Sequence, residues 1–312
     1  MPPHFIGIDG GGTHTLALLA DAAGTVLGRG LGGPSNIQAV GEEAALVQLD
    51  MAVRRAFEEA KLTRTKVAAA CLGLAGIDLT EGLDVIHAWS ERVGLANKVS
   101  VANDATLLLA AGTPAGWGLA VIAGTGSIAF TIDESGKDGR AGGWGHLLGD
   151  EGSAFQVVLQ SLRASARFAD ACGPRTALLD AFVSRMGLKE PRDLIPAVYR
   201  REWDRAALAS LAPVVFEVTA SGDEVALRVM RTQADELART AAAAVKNSAL
   251  PAKDLPVALA GGVLLKSDAY QSRFLESLAG FGVTPGPVGL VEEPATGAVV
   301  LARRVMPKAV DA

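Results

Sequence analysis

The sequence predicts an α/β protein in two halves, and three observations predict it. A strand, glycine-rich hairpin, strand, Asp-x-x-Gly turn, strand pattern occurs twice, with its turns at 21–24 and 133–136 and therefore 133 − 21 = 112 residues apart. An internal duplication of one three-stranded unit is the simplest account. Each copy is followed by helical segments and further apolar strands, an alternation that builds mixed sheets covered by helices. The length of 312 residues also exceeds what one compact core commonly holds, so two domains of roughly 150 residues are expected.

The elements follow in order. Residues 4–9 and 15–20 read as buried strands, and the Asp21-Ala22-Ala23-Gly24 turn leads to a third strand around 25–30. An amphipathic helix is expected over 42–61, with Leu46, Leu49, Val53 and Phe57 near one face. A strand at 66–74, a helix at 80–93 and a short strand at 98–101 lead to Asn103-Asp104. The second copy has strands at 119–123 and 128–132 around Gly124-Thr125-Gly126-Ser127. Residues 153–250 are mostly helical, most clearly over 223–248, where Asp223 and Glu224 fill the first turn and Pro251 ends the run. A strand at 255–260, the Gly261-Gly262 pair, a helix at 267–279 and a final helix opening at Pro294 close the chain. The expected domains are 1–117 and 118–312, the latter with a helical insert at 153–250. Packing of the last helix, 294–306, back on the first domain is the alternative.

Composition narrows the function. A hydrophobic fraction of 49% and a charged fraction of 20% are globular values. The net charge is 29 − 34 = −5 with no Lys/Arg block, which argues against a nucleic-acid or anionic-membrane partner. Cys71 and Cys172 are the two cysteines, and no CxxC or Cys/His zinc spacing occurs. Apolar runs such as 119–123 fall far short of the ~20 residues of a membrane span. The chain enters a strand without a basic leader, so a cytoplasmic location is expected. Glycine is the abnormal number: 36 residues, about 11.5% against a usual ~7%.

The glycines cluster where backbone would approach a ligand. Asp9-Gly10-Gly11-Gly12-Thr13-His14-Thr15 separates two strands. Its free N–H groups suit an anion, Thr13 and Thr15 add hydroxyls, and Asp9 suits a water-bridged Mg²⁺. It is not a P-loop, because no Gly-Lys-Ser/Thr follows. Gly124-Thr125-Gly126-Ser127 repeats the chemistry in the second copy, and two such loops together point to a polyphosphate. Gly28-Arg29-Gly30-Leu31-Gly32-Gly33 matches G-x-G-x-x-G, but Pro34-Ser35-Asn36 follows instead of a helix, so the dinucleotide reading fails. Ser35 and Asn36 read instead as facing a polar ligand or as a plain surface turn. Asp104 reads as a helix cap or as a general base at a strand's carboxyl end. The run from Gly142 to Ser153 mixes glycine, Trp144, Asp150 and Glu151, a sugar-site composition, with His146 read as structural. The Gly261-Gly262 pair permits a flat base to lie on backbone, or simply tight helix–strand packing.

In this order, these motifs resemble the ATPase clan of actin, sugar kinases and Hsp70, and within it the N-acetylglucosamine kinase and BadF/BadG ATPase family. The resemblance runs from Ile6 to about Ala302. It rests on the segment 7–15, on Gly33-Pro34-Ser35-Asn36, on Asn103-Asp104, on Gly124-Thr125-Gly126-Ser127 and on the Gly142–Ser153 run. It implies two RNase H-like, actin/hexokinase-type domains with an interdomain nucleotide cleft that takes ATP and Mg²⁺. It further implies Asp9 near the metal, Gly11, Gly12, Thr13, Thr15, Thr125 and Gly126 at the phosphates, and Gly261 and Gly262 at the nucleoside. Asn36, Asn103, Asp104, Gly142, Gly143, Trp144 and Asp150 would hold an amino sugar, with Asp104 the base for its 6-hydroxyl. N-acetylglucosamine is the leading acceptor; glucosamine and N-acetylmuramic acid are the alternatives, and a homodimer is common among relatives. Two rivals share the fold. An iron–sulfur ATPase activator would need paired cysteines, whereas Cys71 and Cys172 look structural. A sugar sensor would need an added DNA-binding segment.

Overall fold

The computed structural model describes residues 2–74, 80–199 and 203–305. The chain divides into two compact units, Met1–Trp117 with Glu293–Ala312, and Gly118–Glu292.

Unit 1 is built on β1 (Phe5–Gly10), β2 (Thr15–Ala20), β3 (Val26–Gly32), β4 (Val67–Leu74) and β5 (Ala96–Ala102). Their order in the sheet is β3-β2-β1-β4-β5, antiparallel across the first three strands and parallel from β1 to β4 and β5. The side chains of β1 alternate between two cores, as the pleat requires. Ile6 and Ile8 join Leu49, Val53 and Phe57 of α2 (Glu42–Glu59) and Trp89 of α3 (Thr80–Arg92). Phe5 joins Cys71, Leu107 of α4 (Asp104–Gly112) and Ala298 of α13 (Ala295–Arg304). Burial raises the Cys71 thiol pKa, in keeping with a packing role.

Unit 2 repeats the plan with β6 (Gly118–Ala123), β7 (Ser127–Ile132), β8 (Asp138–Gly142), β9 (Leu255–Ala260) and β10 (Pro285–Leu290). Its order is β10-β9-β6-β7-β8, again with an antiparallel trio and a parallel pair. Strand for strand this is the order of unit 1, so each unit is RNase H-like. The long helix α10 (Glu224–Lys246) packs on β7 and β8 as α2 packs on β2 and β3. Its N-cap Asp223 accepts from the Val225 and Ala226 amides. The rest of the insert comprises α5 (Ala154–Ala169), α6 (Leu178–Arg185), α7 (Leu194–Tyr199), α8 (Arg205–Ala209) and α9 (Ala212–Ala220), and two helices, α11 (Gly262–Leu265) and α12 (Asp268–Gly280), separate β9 from β10.

Three details sharpen the sequence reading. The second unit stops at Glu292 rather than 312, because α13 packs on β1, β4 and α4. Gly7 and Gly297 allow that approach: a Cβ on Gly7 would meet the Val299 backbone, and one on Gly297 the Leu107 carbonyl. The segment after α12 forms β10, which the prolines and glycines of Pro-Gly-Pro-Val-Gly-Leu disguise; an edge strand tolerates them. Finally, Gly28, Gly30 and Gly32 lie within β3, where any Cβ would run into the carbonyls of Ala56, Ala52 and Gln48 on α2. The G-x-G-x-x-G run is therefore a helix–strand contact. Among the described residues, no helix is long and apolar enough to cross a membrane.

Candidate active site

Both hairpins close on comparable hydrogen bonds, across loops of different length. In unit 1 the Gly11 amide donates to the His14 carbonyl at 3.0 Å, and the Ser35 amide donates to the Gly11 carbonyl at 3.0 Å. In unit 2 the Gly124 amide donates to the Gly126 carbonyl at 2.9 Å, and the Ala154 amide donates to the Gly124 carbonyl at 2.8 Å. The first residue of each return strand latches the loop behind it: Thr15 Oγ1 lies 2.7 Å from the Gly33 carbonyl, and Ser127 Oγ donates to the Glu151 carbonyl at 2.7 Å. These latches leave the tips open. Gly12, Thr13 and Thr125 are exposed, Gly11 and Gly126 half-buried. Thr13 Oγ1 lies 3.0 Å from His14 Nδ1.

Thr15 therefore departs from the phosphate role that the resemblance implies. Strand alternation turns it inward, it is fully buried, and its hydroxyl also meets Ser35 Oγ at 2.8 Å. It holds the loop and has no face left for a ligand.

The carboxyl ends of the parallel strands bring together two acidic residues of unit 1, Asp9 and Asp104. Asp9 pairs in register with Gly73, and Gly73 with Ala102, which brings Asp9 and the Asn103-Asp104 junction to one edge of the sheet. Gly73 is small because Leu107 of α4 lies against it. Asn103 is the cap of α4: its Oδ1 accepts from the Thr106 amide and lies 2.8 Å from Thr106 Oγ1. Asp104, the first helical residue, is thereby relieved of capping. Burial and then the Asp104 charge push the Asp9 carboxyl up to about 6, against a smaller opposing effect of His14. Asn36 similarly caps the short helix α1 (Ile37–Val40), accepting from the Gln38 and Ala39 amides.

Among the described residues, no group of three or more His, Cys, Asp or Glu is arranged to hold a metal. An acidic edge with a half-buried carboxylate of raised affinity for protons nevertheless fits Mg²⁺ that arrives with phosphates and keeps most of its own waters.

In unit 2, Gly124 and Thr125 line a cleft of about 380 Å³ together with Ala206, Phe216, Gly262 and Lys266. Gly261 brings its floor together: at φ +92 it lies so close to β6 that a Cβ would sit 2.7 Å from the Gly124 nitrogen. A Cβ on Gly262 would meet nothing within 4 Å. This apolar slot beside a glycine hairpin has the shape and chemistry of a nucleoside site.

The Gly142–Ser153 run is held by its backbone. Gly142 and Gly143 have φ of +77 and +70, and the Gly143 amide donates to the Ser127 carbonyl at 3.2 Å. Trp144 is 68% exposed, and Leu147 and Leu148 are exposed beside it. Asp150 lies against the hairpin of unit 2. It is buried, its Oδ1 accepts from the Ser127 amide at 3.2 Å, and its Oδ2 pairs with Arg205 Nη2 at 2.7 Å. Arg205 and Lys266 are the residues that sequence reasoning missed. Neither carries a local motif, and both reach the hairpin or the cleft only through the packing of the helical insert and α11.

Two units of this plan, each with a glycine hairpin after its first strand, define the actin and sugar-kinase class of fold. Within that class the chain belongs to the BadF/BadG/BcrA/BcrD ATPase family, whose profile matches residues 6–302. It is 31% identical over 300 residues to the N-acetylmuramic acid/N-acetylglucosamine kinase of Clostridium acetobutylicum, spanning 96% of this chain and 98% of the relative. It is 30% identical over 315 residues to the N-acetyl-D-glucosamine kinase of Dictyostelium discoideum, spanning 96% and 97%. The crystal structure of a candidate N-acetylglucosamine kinase from Chromobacterium violaceum matches with a TM-score of 0.71 at 25% identity, over 96% of this chain and 99% of that one.

Proposed function

We propose that the protein is an ATP-dependent amino-sugar kinase that transfers the γ-phosphate of ATP to the 6-hydroxyl of N-acetylglucosamine. The observation that carries this reading is the coupled Asp9–Asp104 pair at the carboxyl edge of the sheet in unit 1. A carboxylate placed at a strand end suits a proton acceptor, and a second one beside it suits a cation-assisted phosphoryl transfer. The names of the relatives, aligned over nearly their whole length, support the same substrate class. N-acetylmuramic acid is the alternative acceptor, favoured by the dual name of the Clostridium relative.

In this reading unit 2 holds the donor. The adenosine occupies the cleft at Gly262, and the phosphates lie on the amides and hydroxyl of Thr125-Gly126. Unit 1 supplies Gly11, Gly12 and Thr13 to the phosphates and Asp104 to the acceptor. Asp104 takes the hydroxyl proton as the oxygen attacks phosphorus, and the freed ADP carries the bond's electron pair. Such general-base action is typically worth 10²–10⁴-fold. Asp9 would hold Mg²⁺, which when bound offsets charge on the phosphoryl oxygens. Otherwise the protein's work is to position the reactants and to stabilise charge.

The test is ADP release from ATP and Mg²⁺ with N-acetylglucosamine, glucosamine or N-acetylmuramic acid, beside a control without sugar. Stimulation by one sugar far above the control is expected. Equal, slow hydrolysis in every tube would refute the kinase and move the weight to an ATPase whose output is not a phosphorylated sugar.

A further inference from the structure

Arg205 opens α8, a helix that also contributes Ala206, Ala209 and Ser210 to the 380 Å³ cleft of unit 2. Its guanidinium lies over the hairpin: a Cβ on Gly126 would sit 2.9 Å from Asp150 Oδ2 and would collide with Arg205 Nη2. Asp150 fixes it there, at 2.7 Å, from a side chain only 4% exposed, while the arginine side chain keeps 39% of its surface open. The Arg205 Nε–H is buried and has no acceptor among the described residues. An arginine carries five N–H donors in a planar fork that matches phosphate oxygens. A buried carboxylate that takes one edge of that fork, and also ties down the Ser127 amide at 3.2 Å, leaves the remaining donors preorganised beside Thr125 and Gly126.

The structure assigns Arg205 to the nucleotide's terminal phosphates, with Asp150 as the positioning residue that holds its guanidinium over the hairpin. This rests on the kinase reading for its chemical purpose, since charge that builds on the transferring phosphoryl group is met by a fixed cation. The pairing also accounts for the glycine at 126: any side chain there would displace the arginine.

The assay is calorimetric binding of AMPPNP with Mg²⁺, and of adenosine, to the full chain without any sugar. It therefore reports on Arg205 whether or not an acceptor is ever found, and a failed kinase assay leaves it readable. Arg205→Ala is expected to weaken AMPPNP binding at least about tenfold, the scale of a charge-assisted contact, with adenosine affinity unchanged. Arg205→Gln keeps the aliphatic stem of the side chain but loses the charge and the reach to Asp150; it should show a similar loss if the alanine variant does not fold. Asp150→Asn should also weaken AMPPNP selectively, and the Arg205→Ala/Asp150→Asn double variant should be no worse than Arg205→Ala alone. Wild-type AMPPNP affinity in both arginine variants would overturn the assignment. So would equal loss of AMPPNP and adenosine, which would mark a purely structural pair. An Asp150→Asn variant altered only in KM for the sugar would overturn the positioning role.

Discussion

Replacing Asp9 with asparagine should stabilise the ligand-free protein while abolishing phosphoryl transfer. Burial, and then the neighbouring Asp104, raise the Asp9 carboxyl from 3.8 to about 6. The folded chain thus binds this proton more tightly than the unfolded chain does. Between about pH 4 and pH 6 the native state holds more protons, so this group makes stability fall as pH rises and then level off. The rise from 3.8 to about 6, at about 1.4 kcal/mol per tenfold change in proton affinity, is on the order of 3 kcal/mol of destabilisation by the charged form at pH 7.5. Asp9→Asn removes that charge. Denaturant unfolding of both proteins at pH 4, 5, 6 and 7.5, without nucleotide or Mg²⁺, should show equal stability near pH 4 and a gap that opens in favour of the variant through pH 6. Asp104→Asn removes only the second cause and should gain less. A difference that stays flat across this range, or that favours the wild type at pH 7.5, would refute the electrostatic account of the acidic edge.

Three further outcomes follow from the same geometry. Asp104→Asn should lower kcat at least 10²-fold while nucleotide binding stays near wild type and melting is not lowered, because Asn103 and not Asp104 caps α4; steady-state kinetics beside a thermal melt checks both. Gly261→Ala should weaken ATP binding at least about tenfold, since a φ of +92 costs an L-residue about 1–2 kcal/mol and its Cβ would press on the Gly124 amide; calorimetry reads the loss. Thr15→Val should cost about 1–3 kcal/mol in denaturant unfolding by orphaning its partners at Gly33 and Ser35, yet leave KM for ATP within about twofold.

The duplicated plan was legible because its signals are local. Glycine runs flanked by apolar residues mark both hairpins, and the two Asp-x-x-Gly turns fix the offset between copies. The repeat reaches further than the pattern suggests, down to matching latches by Thr15 and Ser127. What stayed hidden depends on which way a residue faces or on packing distant in sequence. Thr13 and Thr15 look equivalent in a string of letters, but the pleat of β2 sends Thr15 into the core and leaves Thr13 at the exposed tip. Asp150 sits in a glycine-rich run that reads as a ligand loop, whereas its φ of +62 and its buried pairing with Arg205 turn it onto the hairpin. Arg205 lies 55 residues further along in the insert, and no spacing rule connects it to Gly126. The strand β10 was masked by prolines that an edge accepts.

The most direct test of the central claim is the fate of the transferred phosphoryl group. The protein is incubated with ATP, Mg²⁺ and N-acetylglucosamine, and the products are followed by phosphorus NMR with proton correlation. The account predicts one phosphomonoester coupled to the protons on carbon 6, formed in step with ADP and absent with Asp104→Asn. Inorganic phosphate as the only new phosphorus signal would contradict it, as would an ester at another hydroxyl or undiminished ester formation by the Asp104→Asn protein.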